Sequence, residues 1–249
     1  MRCVPPLAGA RGGNVVASVI ATWDAAEVQG ERRRLAEQAL DGYVHGPDAT
    51  VAATARAVER AASARSLVLV EGISDLIALE TVAERTGRDL ASDSTVVVPM
   101  GGAQAISRFL TEYGPPGADL QLCGLCDAGE ERFFRRGLER AGLGRPRDRQ
   151  EMAQLGFFVC VDDLEHELMR ATGPPAIEAL LDAQGDLGSF RTLQKQAAWR
   201  DRSFDAQMHR WLRAGARRNL RYARLLVELI EFDRVPRPLV AVLDAARRR

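Results

Sequence analysis

The chain is short of lysine, histidine and cysteine, and each shortage excludes a class of chemistry. Lys195 is the only lysine among 249 residues. A phosphate-binding P-loop needs Gly-Lys followed by Ser or Thr, so that the ammonium reaches the outer phosphates of a nucleotide. No such string occurs, so the sequence carries no P-loop ATPase of its own. The three histidines, at positions 45, 166 and 209, are scattered without clustering. That argues against a histidine-rich metal site and against a Ser-His-Asp hydrolase. Four cysteines without a secretion signal do not make a disulfide scaffold. Cys123 and Cys126 have a CxxC spacing, but Leu120, Leu122 and Leu125 beside them read as a buried strand, where residues three apart point to opposite faces. Core thiols are expected there rather than a zinc or redox pair. No apolar run approaches the ~18 residues that cross a bilayer, and the N-terminus has too little continuous apolar sequence for a signal peptide. A cytoplasmic protein with no membrane contact is expected.

What is present is enough apolar sequence, 46% of residues, for one large domain or one domain with a helical extension. The net charge of zero hides an asymmetry. Residues 186–249 carry 15 Lys or Arg against 7 Asp or Glu, a surplus of 8 that the rest of the chain must cancel. A basic segment beside an acidic body suits a protein that meets phosphate with one part and holds metal with another. An arginine-rich solvated face is the plainer reading of the same composition.

Along the chain, residues 1–24 show no sustained period and are expected to form a loose tail. Residues 25–65 suggest two helices, Ala25–Leu40 and Ala49–Ala64, parted by Gly42 and the Gly46-Pro47-Asp48 turn. From Ser66 short apolar runs alternate with helical stretches, the pattern of a parallel sheet covered on both faces. Strands are expected at Leu67–Val70, Thr95–Pro99, Leu120–Cys126 and Phe157–Val161, with helices near Asp75–Arg85, Ala103–Tyr113 and Glu130–Ala141. This α/β unit is expected over residues 66–170, and 171–249 reads as a basic helical segment.

Ligands of open parallel sheets bind beyond the carboxyl ends of the strands, and acids gather at those ends here. Val68-Leu69-Val70 runs into Glu71-Gly72, with Asp75 a turn later. The third strand ends in Cys126-Asp127-Ala128-Gly129-Glu130-Glu131. Carboxylates brought together repel unless protons or cations intervene, and hard oxygen donors favour Mg²⁺ or Mn²⁺ over zinc. Each feature also has a plainer reading. Ser74, Asp75, Glu130 and Glu131 all suit helix N-termini. Gly101-Gly102 is either a tight turn or a turn whose free amides hold a phosphate.

Glu71-Gly72-Ile73-Ser74-Asp75, then Pro99-Met100-Gly101-Gly102, then Leu125-Cys126-Asp127 resemble the Toprim domain of the OLD-family nucleases over residues 66–170. With Gly188-Ser189-Phe190-Arg191, Arg221-Tyr222-Ala223-Arg224 and Val235-Pro236-Arg237-Pro238-Leu239 added, residues 66–245 are similar to stand-alone Toprim nucleotidyl transferase or hydrolase proteins. The resemblance implies a Rossmann-like fold: a four-stranded parallel sheet with flanking helices, here with N-terminal helices and a helical C-terminal segment. It implies a glutamate at Glu71 that binds metal or acts as general acid/base, and an Asp-x-Asp pair beginning at Asp127. The second aspartate of that pair is Gly129 here, so Glu130 or Glu131 would have to replace it, and two-metal catalysis comes into doubt. Asp162-Asp163-Leu164-Glu165 matches the stretch that supplies a further acid, and Glu165 is the choice within it.

The reading that follows is a metal-dependent nuclease or nucleotidyl hydrolase cleaving nucleic-acid phosphodiesters. Glu71 and Asp127 are the catalytic candidates, and Glu71, Asp75, Asp127, Glu130 and Glu165 the ligands of Mg²⁺ or Mn²⁺. Arg217, Arg218, Arg221 and Lys195 are the nucleic-acid contacts, with Arg218 or Lys195 reaching toward the metal. The arginines follow from a helix near Ala216–Glu231 that turns Leu220, Ala223, Val227 and Ile230 to the core and leaves Arg217, Arg218 and Arg221 on other faces. The reach of Arg218 toward the metal, with Lys195 as the alternative, is what the resemblance implies, since the stand-alone relatives often carry a lysine at that place. OLD nucleases carry an ATPase domain ahead of the Toprim domain; the residues before 66 are too few for one, so ATP dependence would come from a separate partner. A homo-oligomer stays open. The rival is a non-catalytic Toprim module that binds nucleic acid or protein through a degraded metal site, with Gly129 as its support. Topoisomerase chemistry fits less well, since it needs a tyrosine nucleophile from another domain and only Tyr43, Tyr113 and Tyr222 are present.

Overall fold

The structure, a computed structural model, describes Gly30, Arg34, Leu35 and residues 37–248. The expected tail and most of the expected Ala25–Leu40 helix lie outside these residues.

Four runs rich in β-branched and other apolar residues form strands β1 (Ser66–Val70), β2 (Thr95–Pro99), β3 (Gln121–Cys126) and β4 (Phe157–Val159). All pair in parallel, in the order β2-β1-β3-β4, with Val68 opposite both Val97 and Cys123 and with Gly124 opposite Phe157. The expected four-stranded parallel sheet is therefore present, its ends shifted by one or two residues. β1 and β2 are buried along their whole length, as strands covered on both faces must be.

Side-chain alternation divides the core into two halves. Val68, Val70, Val97, Cys123 and Leu125 point to one face, while Leu67, Leu69, Val96, Val98, Cys126 and Phe157 point to the other. Cys123 and Cys126 thus lie on opposite sides of the sheet, and burial pushes the Cys123 thiol up to about 12.

The second face is covered by α3 (Ile106–Tyr113), α4 (Glu131–Arg140) and α5 (Arg149–Gln154), through Ile106, Phe109, Leu110, Phe134, Leu138 and Met152. The first face is covered by α2 (Ile73–Arg85), α6 (Leu164–Thr172) and the helices that follow. Those are α7 (Pro174–Ala183), α8 (Leu187–Gln194), α9 (Phe204–Arg213), α10 (Ala216–Leu229) and α11 (Arg237–Ala246). The sheet edge at β2 is covered by α1 (Ala49–Ala61), whose buried stripe is Ala49, Ala53, Ala57 and Ala61. One methyl per turn lets the helix lie close to the strand, and Thr54 Oγ1 donates to the Pro99 carbonyl at 2.6 Å.

The C-terminal helices share the sheet's core. Trp211, Tyr222, Leu226, Val242 and Leu243 join Val68, Val97 and Leu125 in one buried cluster, and each such side chain contributes about 1.5–3 kcal/mol on burial. Polar contacts pin the same surface. Arg85 donates to the carbonyls of Val227 and Ile230 at the end of α10, Arg88 pairs with Asp244 at 2.5 Å, and Gln121 Nε2 donates to the Ala245 carbonyl at 2.6 Å. Among the described residues no helix is long and apolar enough to cross a membrane.

Candidate metal centre

With strand order β2-β1-β3-β4, the chain leaves β1 toward β2 on one side and later returns to β3 on the other. The crevice above the carboxyl ends of β1 and β3 is therefore the switch point of the sheet, where ligands of open α/β folds bind. Glu71 is the first residue after β1, and Asp127 the first after β3.

These two acids are tied together by the backbone. Glu71 Oε1 accepts from the Asp127 amide at 2.9 Å, and Asp127 Oδ1 accepts from the Leu164 amide at the start of α6 at 3.2 Å. Asp75 lies in the first turn of α2, 9% exposed, where its Oδ2 accepts from the Gly72 amide at 2.8 Å. The capping role foreseen for Asp75 is thus real, and it uses one carboxylate oxygen. Glu165 stands in the first turn of α6 and Glu130 in the turn after β3.

The cluster is electrostatically strained. Asp127 is pushed up to about 8, first by burial and then by the charges of Asp75, Glu71, Asp163 and Glu165. Asp75 is pushed up to about 7 by burial, with Glu71 and Glu165 adding to it against the Gly72 amide. Glu71 also lies above the usual carboxylate range, through burial and the nearby charges of Glu130 and Glu165, opposed by the Asp127 amide. No cationic side chain figures among these influences. The donors are hard oxygens, and each of the three acids keeps one oxygen outside the hydrogen bonds named here, so the set fits Mg²⁺ or Mn²⁺. The acids are not drawn into a tight nest, however. Among the described residues, the group that brings three donor atoms within 4.8 Å of one another is Asp163, His166 and His209.

Other expected contacts are engaged elsewhere. The amides of Gly101 and Gly102 both donate to the Glu71 carbonyl, at 3.1 and 2.9 Å, so that turn lashes β2 to β1 and has no free N–H pair for a phosphate. Its φ angles of 80° and 124° explain the two glycines. Glu131, the alternative to Glu130, is paired with Arg149 at 2.9 Å and Arg135 at 3.3 Å.

The arginine helix needs correction. α10 ends at Leu229, and Ala223, Val227 and Ile230 are buried as expected, with Leu220 only partly so. Yet Arg218 lies over the Trp211 ring, 4.0 Å from its centroid, and donates to the Trp211 carbonyl at 2.6 Å. It caps α9 rather than reaching the acids. Arg221 is 11% exposed and paired with Asp186, which also accepts from the Tyr222 hydroxyl at 3.0 Å. A buried guanidinium held in this way is not available to a phosphate. Arg217 and Lys195 are exposed.

The histidines need correction too. Distant in sequence, His166 and His209 meet across Asp163, with ring centroids 4.5 Å apart. Asp163 is the N-cap of α6, accepting from the His166 amide at 2.9 Å, and each ring places a nitrogen 2.7 Å from one of its oxygens. Burial would raise this carboxyl, but the His166 amide and ring and the His209 ring outweigh it and hold Asp163 below the usual range. The Asp163-x-x-His166 spacing, one helical turn, is the sequence signal for two of the three residues; nothing local announces His209.

The sheet order, the acids at the ends of β1 and β3 and the flanking helices define a Toprim-type α/β domain. A family model described as the TOPRIM domain of overcoming-lysogenization-defect-like proteins matches residues 64–114, from just before β1 through α3. Among solved structures, the C-terminal region of the Xanthomonas campestris pv. campestris OLD protein superposes with a TM-score of 0.61 at 20% identity, covering 76% of this chain and 94% of that one. The C-terminal region of the Burkholderia pseudomallei OLD protein does so with a TM-score of 0.55 at 17% identity, covering 74% and 97%. No curated protein sequence matches the chain. This chain carries a Toprim domain similar to that of the OLD proteins.

Proposed function

We propose that the chain is a metal-dependent hydrolase of nucleic-acid phosphodiesters. The observation that carries this reading is the crevice between β1 and β3, where Glu71, Asp75 and Asp127 are all held above the usual carboxylate range with no cationic side chain to relieve them. A folded protein keeps such repulsion where a bound cation removes it.

Glu71 and Asp127 would hold a Mg²⁺ or Mn²⁺ ion, with Asp75, Glu130 and Glu165 completing its surroundings. Bound there, the ion supplies Lewis-acid polarisation of a phosphoryl oxygen and a lowered pKa for water. The Asp127 amide fixes the rotamer of Glu71, and the Leu164 amide fixes that of Asp127, so both face the crevice before substrate arrives. Glu71, with its raised affinity for protons, is the group suited to take the proton of the attacking water. Arg217 and Lys195, both exposed, remain the proposed contacts to the nucleic-acid backbone. These 249 residues contain no P-loop, so an ATP-dependent step, where one is needed, is not carried out by them.

A second reading, a nucleic-acid- or protein-binding module without catalysis, is favoured by Gly129, which leaves the Asp-x-Asp pair one carboxylate short. Single- and double-stranded substrates incubated with the protein and Mg²⁺ or Mn²⁺, beside Glu71→Gln, separate the two. Metal-dependent cleavage that Glu71→Gln abolishes supports the hydrolase; no cleavage under any of these conditions favours the module.

A further inference from the structure

Asp163, His166 and His209 converge in a way the carboxylate edge does not. His166 presents Nδ1 to one Asp163 oxygen and His209 presents Nε2 to the other, each at 2.7 Å, and one donor atom from each residue lies within 4.8 Å of the others. The three come from two elements. Asp163 and His166 are one turn apart at the start of α6, and His209 is carried by α9, which is anchored by buried Met208, Trp211 and Leu212. The cap bond from the His166 amide fixes the Asp163 carboxylate, as an outer hydrogen bond fixes a metal-bound ligand. The rings are neither sealed nor loose, with side chains 29% and 22% exposed. Both line an open cleft of about 800 Å³ together with Trp199, Arg202, Arg210 and Arg213.

We propose that Asp163, His166 and His209 form a second metal site that takes a divalent transition-metal ion of the zinc and cobalt class. Two imidazoles and one carboxylate suit such an ion, whereas Mg²⁺ and Ca²⁺ prefer oxygen donors throughout. Three protein ligands with a face open to solvent describe the metal sites that keep a fourth position for water or for an anion. Here that face meets a cleft lined by three arginines, so the fourth ligand is water or an anionic group such as a phosphate oxygen. The proposal does not rest on the hydrolase reading, because none of its ligands belongs to the Glu71, Asp75 and Asp127 set.

The test is a Co²⁺ titration followed by visible absorption, with Zn²⁺ calorimetry beside it. It is run on the wild type and on a Glu71→Gln/Asp127→Asn background in which the carboxylate edge is disabled. One equivalent of Co²⁺ should give ligand-field bands in both proteins. His166→Ala and His209→Ala should each weaken uptake by more than the ~10–100-fold that altering an outer hydrogen bond to a ligand costs, with circular dichroism unchanged. Should His209→Ala unfold, His166→Gln carries the same test at the more exposed ring. A folded Glu71→Gln/Asp127→Asn protein that takes up no Co²⁺ or Zn²⁺, or His166 and His209 variants with wild-type affinity, overturns the site. An inactive protein that still binds Co²⁺ through the histidines sinks the hydrolase reading alone, and an active one that binds none sinks this site alone.

Discussion

Charge is treated in opposite ways in two regions of this molecule. At the carboxyl edge of the sheet, Glu71, Asp75 and Asp127 are buried or half-buried beside one another and raised in pKa by burial and mutual repulsion. On α10, by contrast, three successive arginines are answered within the chain: Arg218 by the Trp211 ring and carbonyl, Arg221 by Asp186, and Arg224 by Glu228 at 2.7 Å. Answered charges hold the fold, because leaving one partner of a buried pair alone exposes the full desolvation cost. Unanswered charges raise the energy of the fold and await something from outside. A basic composition therefore located the arginines without saying which were free.

The contrast can be broken most sharply at Arg221. Arg221→Ala leaves the Asp186 carboxylate and the Tyr222 hydroxyl without their cation, at a site where the guanidinium is 11% exposed. The expected loss is about 3 kcal/mol of stability in urea unfolding. If Arg221 were a phosphate contact instead, stability would hardly change and nucleic-acid affinity would fall.

The acids should respond in the other direction. Held above its unfolded value, Asp127 contributes stability that is fully present below about pH 4 and is lost as pH rises through about 8. Asp75 behaves alike, with its loss centred near 7. In chelator, the wild type should therefore become less stable across this window, and Asp127→Asn should flatten the decline and melt higher than wild type at pH 8. Mn²⁺ should restore the wild type and not the variant, which calorimetry checks directly. Equal pH slopes for the two proteins would remove the electrostatic case for a cation at this edge.

The sequence carried the sheet well, for physical reasons that are local. Short β-branched runs such as Thr95-Val96-Val97-Val98 have few alternatives to a doubly buried strand, and Glu71 and Asp127 stand at strand ends that any parallel sheet brings to one edge. The periodicity over residues 216–231 likewise predicted the burial of Ala223, Val227 and Ile230, while Leu220 is only partly buried. Contacts across long separations were not legible. Asp186 meets Arg221 after 35 residues, and His209 meets Asp163 after 46. Nothing in local pattern encodes which helix packs on which, so three scattered histidines concealed a pair. The Gly101-Gly102 turn failed for another reason. Its sequence allows free amides, and only the position of the Glu71 carbonyl decides that they are taken.

A smaller effect is expected at Gly129. The position is exposed, its φ lies outside the left-handed region, and a Cβ there would meet nothing within 4 Å. Gly129→Asp can thus add a carboxylate beside Asp127 without steric cost. Mn²⁺ affinity should rise severalfold, and hydrolysis with it, while circular dichroism stays unchanged. Unchanged Mn²⁺ affinity and hydrolysis would favour the non-catalytic module.

The smallest effect, and the one that tests whether any of α10 remains for nucleic acid, belongs to Arg217. It is exposed and has no acidic partner among the described residues, whereas Arg218 is held by the Trp211 ring and carbonyl and Arg221 by Asp186. An exposed arginine that meets phosphate releases about one counterion, so Arg217→Ala should lower the slope of log affinity against log salt by roughly one unit or less. Stability should stay within about 0.5 kcal/mol, since no buried contact is lost. Lys195→Ala should behave in the same way if the backbone passes both residues. Arg218→Ala is the control. Its guanidinium packs on Trp211 and caps α9, so its removal should cost stability and leave the salt slope alone. A fluorescence-anisotropy salt series on a short single strand and a short duplex, run for the three variants, separates these outcomes. An unchanged slope in both Arg217→Ala and Lys195→Ala would show that the exposed cations of this segment do not touch nucleic acid.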